Sequence, residues 1–157
     1  MRLTNVIPRT GICFPMSAGS VDQALAELVR ELVAAERLPP ALEESALLNL
    51  MKREAIGPTA VGQGVAVPHT RLAGLETMVG ALGVSREGIP FDESPSGRVH
   101  AMFLFLAPVW DHEGYLNLLA LVSRIVRDGS FVQQALAAET SARLATLLRE
   151  FEGRIQP

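Results

Sequence analysis

Residues that handle phosphate and protons gather in one part of the chain: Arg53 at the end of a periodic apolar segment, then His69, then Arg71. An imidazole titrates near neutrality, keeps an unprotonated nitrogen at cellular pH, and serves as a nucleophile or a proton carrier. Guanidinium forks match phosphoryl oxygens. Phosphoryl transfer asks little of a protein beyond in-line positioning and positive or N–H groups around those oxygens. A lone histidine is more often structural, and arginines of this kind are often solvated surface groups. The frame separates the two readings. Gly62-Gln63-Gly64-Val65-Ala66-Val67-Pro68-His69-Thr70-Arg71 spends glycine, apolar and proline residues on presenting one side chain. Gly62 and Gly64 let the backbone turn and another molecule come close. Val65-Ala66-Val67 reads as a short buried strand, and Pro68 fixes its own φ while holding Val67 extended. His69 is thus expected at the strand's exit, with little freedom to lose when a partner docks.

The supporting elements follow from periodicity. Residues 11–16 read as a short strand or extended arm. Helical spacing of apolar residues predicts a helix over 21–36, opened by a capping box of Ser20 and Gln23, and a second over 41–54 that buries Leu42, Ala46, Leu47, Leu50 and Met51. Lys52 and Arg53 fall in its last turn, where positive charge suits the helix dipole. Residues 55–63 read as irregular, and 78–85 as a buried strand whose glycines imply a close-packed neighbour. A loop is expected over 86–98, with a brief strand at 89–91. The run 99–107 is nearly continuous in apolar residues and reads as a central strand buried on both faces, closed by Pro108. A helix from His112 or Glu113 to Asp128 is expected to bury Leu116, Leu119, Val122 and Val126, with Gly129 as its cap. Ser130 with Gln133 repeats the capping box for a short helix to Ala138, and a last helix over 141–151 ends at Gly153. These elements describe a single α/β domain over 1–157, its small sheet covered by helices on both faces.

Bulk composition narrows the function. Of the 157 residues, 48% are hydrophobic and 20% charged, ordinary for a globular domain able to bury a core without staples. A net charge of -3 gives no basic field for nucleic acid or an anionic membrane. No apolar run approaches the length needed to span a bilayer, and the N-terminus does not read as a secretory signal. Cys13 is the single cysteine and reads as a small buried apolar residue, so the expected location is the cytoplasm.

At this point a family resemblance appears. Arg53-Glu54 followed by Gly57-Pro58-Thr59-Ala60-Val61 and the stretch Gly62 to Arg71 resembles the signature of enzyme IIA domains of the fructose-mannitol type in the bacterial phosphotransferase system, including the nitrogen-regulatory branch. The likeness runs over about 3–153, through the order of helices and the strand ending in Ala107-Pro108. It implies a mixed sheet flanked by helices, His69 as the phosphorylated nucleophile, and a phosphate-binding role for Arg53. It implies as partners an HPr-like phosphocarrier as donor, and a IIB domain or a regulatory target as recipient. No cofactor and no metal is implied. Pro58 and Ala60 depart from the small polar residue and glycine common there, while Thr59 stays as a candidate hydroxyl donor. Many members carry a second histidine near the start of the helix after the Pro-ended strand; here that position is Tyr115, and His112 lies one turn upstream. A tyrosine hydroxyl can still hydrogen-bond a phosphoryl oxygen or an imidazole but carries no charge near neutral pH.

Other readings have less behind them. A metal site from His69, His100 and His112 with Asp111 or Glu113 matches no compact zinc spacing. No serine occupies a nucleophile elbow. The strongest rival is a non-enzymatic interaction module on the same fold, acting through the surface around His69; Tyr115 favours it and the intact run to Arg71 opposes it.

Overall fold

The computed structural model describes residues 2–91 and 97–156. Its axis is the strand β6 (Arg98–Pro108), where the apolar run is buried end to end. Neighbouring side chains on a strand point to opposite faces, so β6 feeds two cores. Ala101, Phe103 and Phe105 face one, Met102, Leu104 and Leu106 the other. Helices α2 (Val21–Ala34) and α3 (Glu43–Ile56) cover the second face; α1 (Leu3–Val6), α4 (His112–Arg127), α5 (Phe131–Ala137) and α6 (Ser141–Ile155) cover the first. There the rings of Phe131 and Phe103 lie 5.4 Å apart, and Phe151 meets Phe131 edge-on at 5.2 Å. Each such buried side chain contributes about 1.5–3 kcal/mol.

The six-stranded sheet is mixed. Beside β6 on one side lies antiparallel β5 (Val79–Pro90), followed by β1 (Ile12–Cys13) parallel to β5 at the edge. On the other side β3 (Val65–Ala66) and β4 (His69–Leu72) both run parallel to β6, and β2 (Ala60–Gly62) pairs antiparallel with β3. The glycine expectation for β5 holds. A Cβ at Gly83 would stand 2.8 Å from Leu28, so α2 packs directly on the strand's backbone.

Several boundaries move for identifiable reasons. The strand expected to stop at Ser85 continues to Pro90 through a bulge: pairing passes from Val84↔Ala101 to Ile89↔Val99. Ser85 accepts from the Gly88 N–H and, through its carbonyl, from His100 Nδ1, which satisfies the backbone that the bulge unpairs. The loop expected over 86–98 therefore shrinks, and its residues 92–96 lie outside the described residues. Residues 60–62, expected to be irregular, form β2, joined to β3 by a tight turn in which Gln63 and Gly64 both have positive φ, as primed hairpin turns require.

Helix α3 starts and ends two residues later than expected, leaving Arg53 in its last turn. On α4 the buried stripe is Leu118, Leu121, Val122, Ile125 and Val126, whereas Leu116 is half exposed. The Ser20 cap forms with the Gln23 N–H, but the Gln23 side chain takes the N–H of Gly19 instead of closing the box. The box expected at Ser130 does not form, because its hydroxyl turns to Asp128. Gly129 caps α4 at φ 77°, and α6 runs on through Gly153. Cys13 is partly buried, with its Sγ 3.6 Å from a Glu27 carboxylate oxygen; burial and that charge push its thiol up to about 12. Among the described residues no helix is long and apolar enough to cross a membrane.

Candidate functional site

His69 does not sit at a strand exit. It opens β4, which with β3 forms one lane beside β6 interrupted at Pro68. The interruption has a local cause: proline offers no N–H to the ladder. Its carbonyl still accepts from the Phe105 N–H at 2.9 Å, so the lane stays in register through the break. Opposite Phe105, His69 projects to the face covered by α4, and strand alternation puts Arg71 on that face too.

The imidazole is half-buried and held by its own strand. Its Nδ1 lies 2.5 Å from the Val67 carbonyl oxygen. A carbonyl can only accept, so Nδ1 carries the proton and Nε2 keeps its lone pair. Burial pushes the pKa of His69 below the usual histidine value, with Arg53 adding in the same direction; the Val67 contact and Glu54 pull it back partway. The ring is therefore neutral at pH 7, with an available nucleophilic nitrogen.

Arg53 belongs to α3, on the opposite face of the sheet, but its side chain comes round the sheet edge. Its Nη1 donates to the Gly57 carbonyl at 2.8 Å, and it lines with His69 a cavity of about 250 Å³. Thr59, Val61, Val67 and Leu119 form other parts of the wall, which is largely apolar. A guanidinium facing an apolar wall acts at short range with little solvent screening. Arg71 is exposed and makes no side-chain hydrogen bond to another described residue. Thr59 is 3% exposed, and its hydroxyl donates to Glu54 Oε2 at 2.7 Å while its N–H donates to Oε1 at 2.9 Å. The hydrogen expected to be available to a phosphoryl oxygen is thus committed elsewhere.

Glu54 is the residue that sequence reasoning passed over. It clamps the turn Gly57-Pro58-Thr59, and Thr59 in turn accepts the Val67 N–H through its carbonyl at 3.0 Å, so the clamp reaches the strand that carries His69. A carboxylate at a helix end followed by Gly-Pro-Thr was the available signal.

Across from His69 stands Tyr115, ring centroids 5.4 Å apart and planes at 57°. His112 is exposed at the first position of α4 and does not share that contact. His100 lies in β6 with Nδ1 turned to Ser85, and among the described residues no group of three metal-ligating side chains is arranged around a common point. Several large apolar side chains are exposed on the segments near His69 in the fold, and one of them, Val61, lines the cavity. Ile56 (85% exposed), Val61, Val109, Trp110 (71%) and Leu116 all stand on the elements or connections that frame His69. Large apolar side chains left in solvent are the kind of group that meets other proteins.

Comparison with known proteins identifies the family and the fold. Residues 5–151 match the family model described as phosphoenolpyruvate-dependent sugar phosphotransferase system, EIIA 2. A nitrogen regulatory protein of Bradyrhizobium diazoefficiens is 30% identical over 148 residues, covering 94% of this chain and 95% of the relative. The crystal structure of a nitrogen regulatory IIA protein from Neisseria meningitidis is similar at TM-score 0.75 and 27% identity, over 92% of this chain and 97% of that one. The mannitol enzyme IIA of Escherichia coli, solved in complex with phosphorylated mannitol enzyme IIB, shares the fold at TM-score 0.71 and 17% identity, over 90% and 95% of the two chains.

Proposed function

Because the chain belongs to the EIIA type 2 family and is a phosphoryl carrier of the phosphotransferase system, we propose that His69 is its acceptor, charged by an HPr-like phosphocarrier and discharged to a IIB cysteine or kept as a regulatory mark. The observation that carries this reading is the Nδ1 contact with Val67, which leaves Nε2 as the free nitrogen of a half-buried neutral ring. In the transfer the Nε2 lone pair forms a bond to phosphorus. The bond from phosphorus to the donor's imidazole nitrogen breaks, and its electron pair returns to that nitrogen. No proton needs to move. The phosphorylated ring keeps its Nδ1 proton and a positive charge, which the Val67 carbonyl stabilises.

Arg53 supplies a preorganised positive group for the phosphoryl oxygens, and Arg71 a second, more solvated one. The backbone devices Gly62, Gly64 and Pro68 fix where the ring stands. The exposed apolar side chains suit docking of a protein donor, and the end-to-end likeness to a nitrogen regulatory protein supports the regulatory use of the mark. The same side chains favour a second reading, a binding module in which phosphotransfer is absent. Incubation with phosphoenolpyruvate, enzyme I and HPr decides between them. The expected result is an acid-labile mass gain of one phosphoryl group that His69→Ala loses. Labelling that survives the substitution overturns the site; no labelling with several cognate carriers favours the binding module.

A further inference from the structure

A phosphoryl group on His69 needs donors on more than one side, and the Thr59 hydroxyl is already given to Glu54. The opposite wall offers another. Tyr115 lies one turn into α4 at a position fixed from below. Its N–H donates to the Asp111 carbonyl at 3.2 Å, and the Asp111 carboxylate takes the Gly114 N–H at 3.0 Å. The phenol ring is half-buried against the imidazole, and its hydroxyl makes no hydrogen bond to another described residue. Arg53 from α3, which lines the His69 cavity, and Arg71 from β4 both act on it electrostatically. Burial, the largest influence, raises the phenol above its ordinary value against the pull of both arginines, so the hydroxyl keeps its hydrogen.

Resting on His69 as acceptor, we propose that Tyr115 is a phosphoryl-binding residue, its hydroxyl donating to an oxygen of the phosphoryl group on Nε2 and setting how long the phosphohistidine persists. Only a hydrogen bond is involved, and the tyrosine proton stays on oxygen. During hydrolysis, water attacks phosphorus, the bond to Nε2 breaks with its electron pair returning to the ring, and inorganic phosphate leaves. A donor aimed at the oxygens of the group while the bond to Nε2 is intact loses distance and alignment as phosphorus moves toward the attacking water, so it stabilises the phosphorylated protein more than the transition state for hydrolysis. Losing it shortens the lifetime.

The charged and titratable groups about this contact are Arg53 and Glu54 from α3, His69 and Arg71 from β4, and Asp111, His112 and Glu113 at the start of α4. A range from about pH 6 to pH 8.5 brackets the ordinary histidine value of about 6.5.

The test uses protein phosphorylated through phosphoenolpyruvate, enzyme I and HPr, with the lifetime of the label followed across that range. Tyr115→Phe keeps the ring and the packing and is expected to shorten the lifetime about three- to tenfold, by a ratio to wild type that does not change with pH. Tyr115→His is expected to introduce an inflection near the histidine range, and His112→Ala to change nothing. A Tyr115→Phe protein whose lifetime equals that of wild type at every pH overturns the proposal, as does a ratio that follows pH in the His112-containing protein but not in His112→Ala. Failure of the acceptor reading looks different: label would be absent from wild type or retained by His69→Ala.

Discussion

Two polar clusters in this molecule use similar groups to opposite ends. At the seam of the termini, Glu152 on α6 is 1% exposed, and its carboxylate takes the N–H groups of Leu3 and Thr4 and the Thr4 hydroxyl. It caps α1 across 148 intervening sequence steps, and its acceptors are spent within the fold. At the His69 site the balance is reversed. Arg53 uses Nη1 on Gly57, Arg71 and Tyr115 have no side-chain acceptor among the described residues, and Nε2 keeps its lone pair. A closed cluster holds the chain together; surplus donors beside an imidazole with a free nitrogen support the proposal that a group arrives there from outside.

The comparison can be broken at either end. Arg53→Ala should lower the single-turnover rate of His69 labelling by about 10²–10³, the usual cost of removing one preorganised donor, with urea stability little changed. A large stability loss and normal labelling would make Arg53 structural. Glu152→Ala should do the reverse, lowering unfolding free energy by about 2–4 kcal/mol because it strands buried N–H groups, while labelling below the melting transition stays normal. Slowed labelling there would show the two clusters to be coupled.

Glu54→Ala sharpens the contrast because Glu54 shares both characters: it closes a turn and holds the strand that presents His69. About 1–2 kcal/mol of stability should go with it, together with a severalfold slower transfer. Intact stability with slow transfer would assign Glu54 to the chemistry alone. Arg71→Ala, at an exposed and screened position, should cost about tenfold or less, more at low salt than at high salt.

The smallest effect is in pH. The His69 pKa in the folded chain is lowered, so the neutral ring persists below the ordinary histidine value of about 6.5. The acid fall in labelling rate should therefore have its midpoint below about pH 6.5, on the acid side of an ordinary histidine. The same shift makes a stability contribution that is fully present above the unfolded value and is lost as pH falls through the folded one. Replacing His69 by Gln should therefore slightly flatten the acid limb of the unfolding curve. An unchanged limb would place the ring in a less buried environment than the cavity wall suggests.

How legible each part was follows from how local its cause is. The β6 run, the amphipathic faces of α2 and α6, and the glycine- and proline-framed approach to His69 are set by neighbours within a few residues, through side-chain period and fixed φ. They could be read directly. The bulge at 85–88, the exposure of Leu116 and the absent cap at Ser130 could not, because each depends on what a distant strand or side chain already occupies.

For the site the division is the same. Sequence alone singled out the histidine proposed as acceptor, the arginines proposed to accompany it, and a tyrosine that stands where relatives of the resembled family often have histidine. Tertiary structure decided the rest: that β4 continues past Pro68, that Glu54 takes the Thr59 hydroxyl, and that Tyr115 rather than His112 meets the imidazole at 5.4 Å. Those contacts follow from the register of β4 on β6 and the seating of α4 across it. Pairing between segments far apart in the chain is fixed only when the whole sheet closes on its two cores.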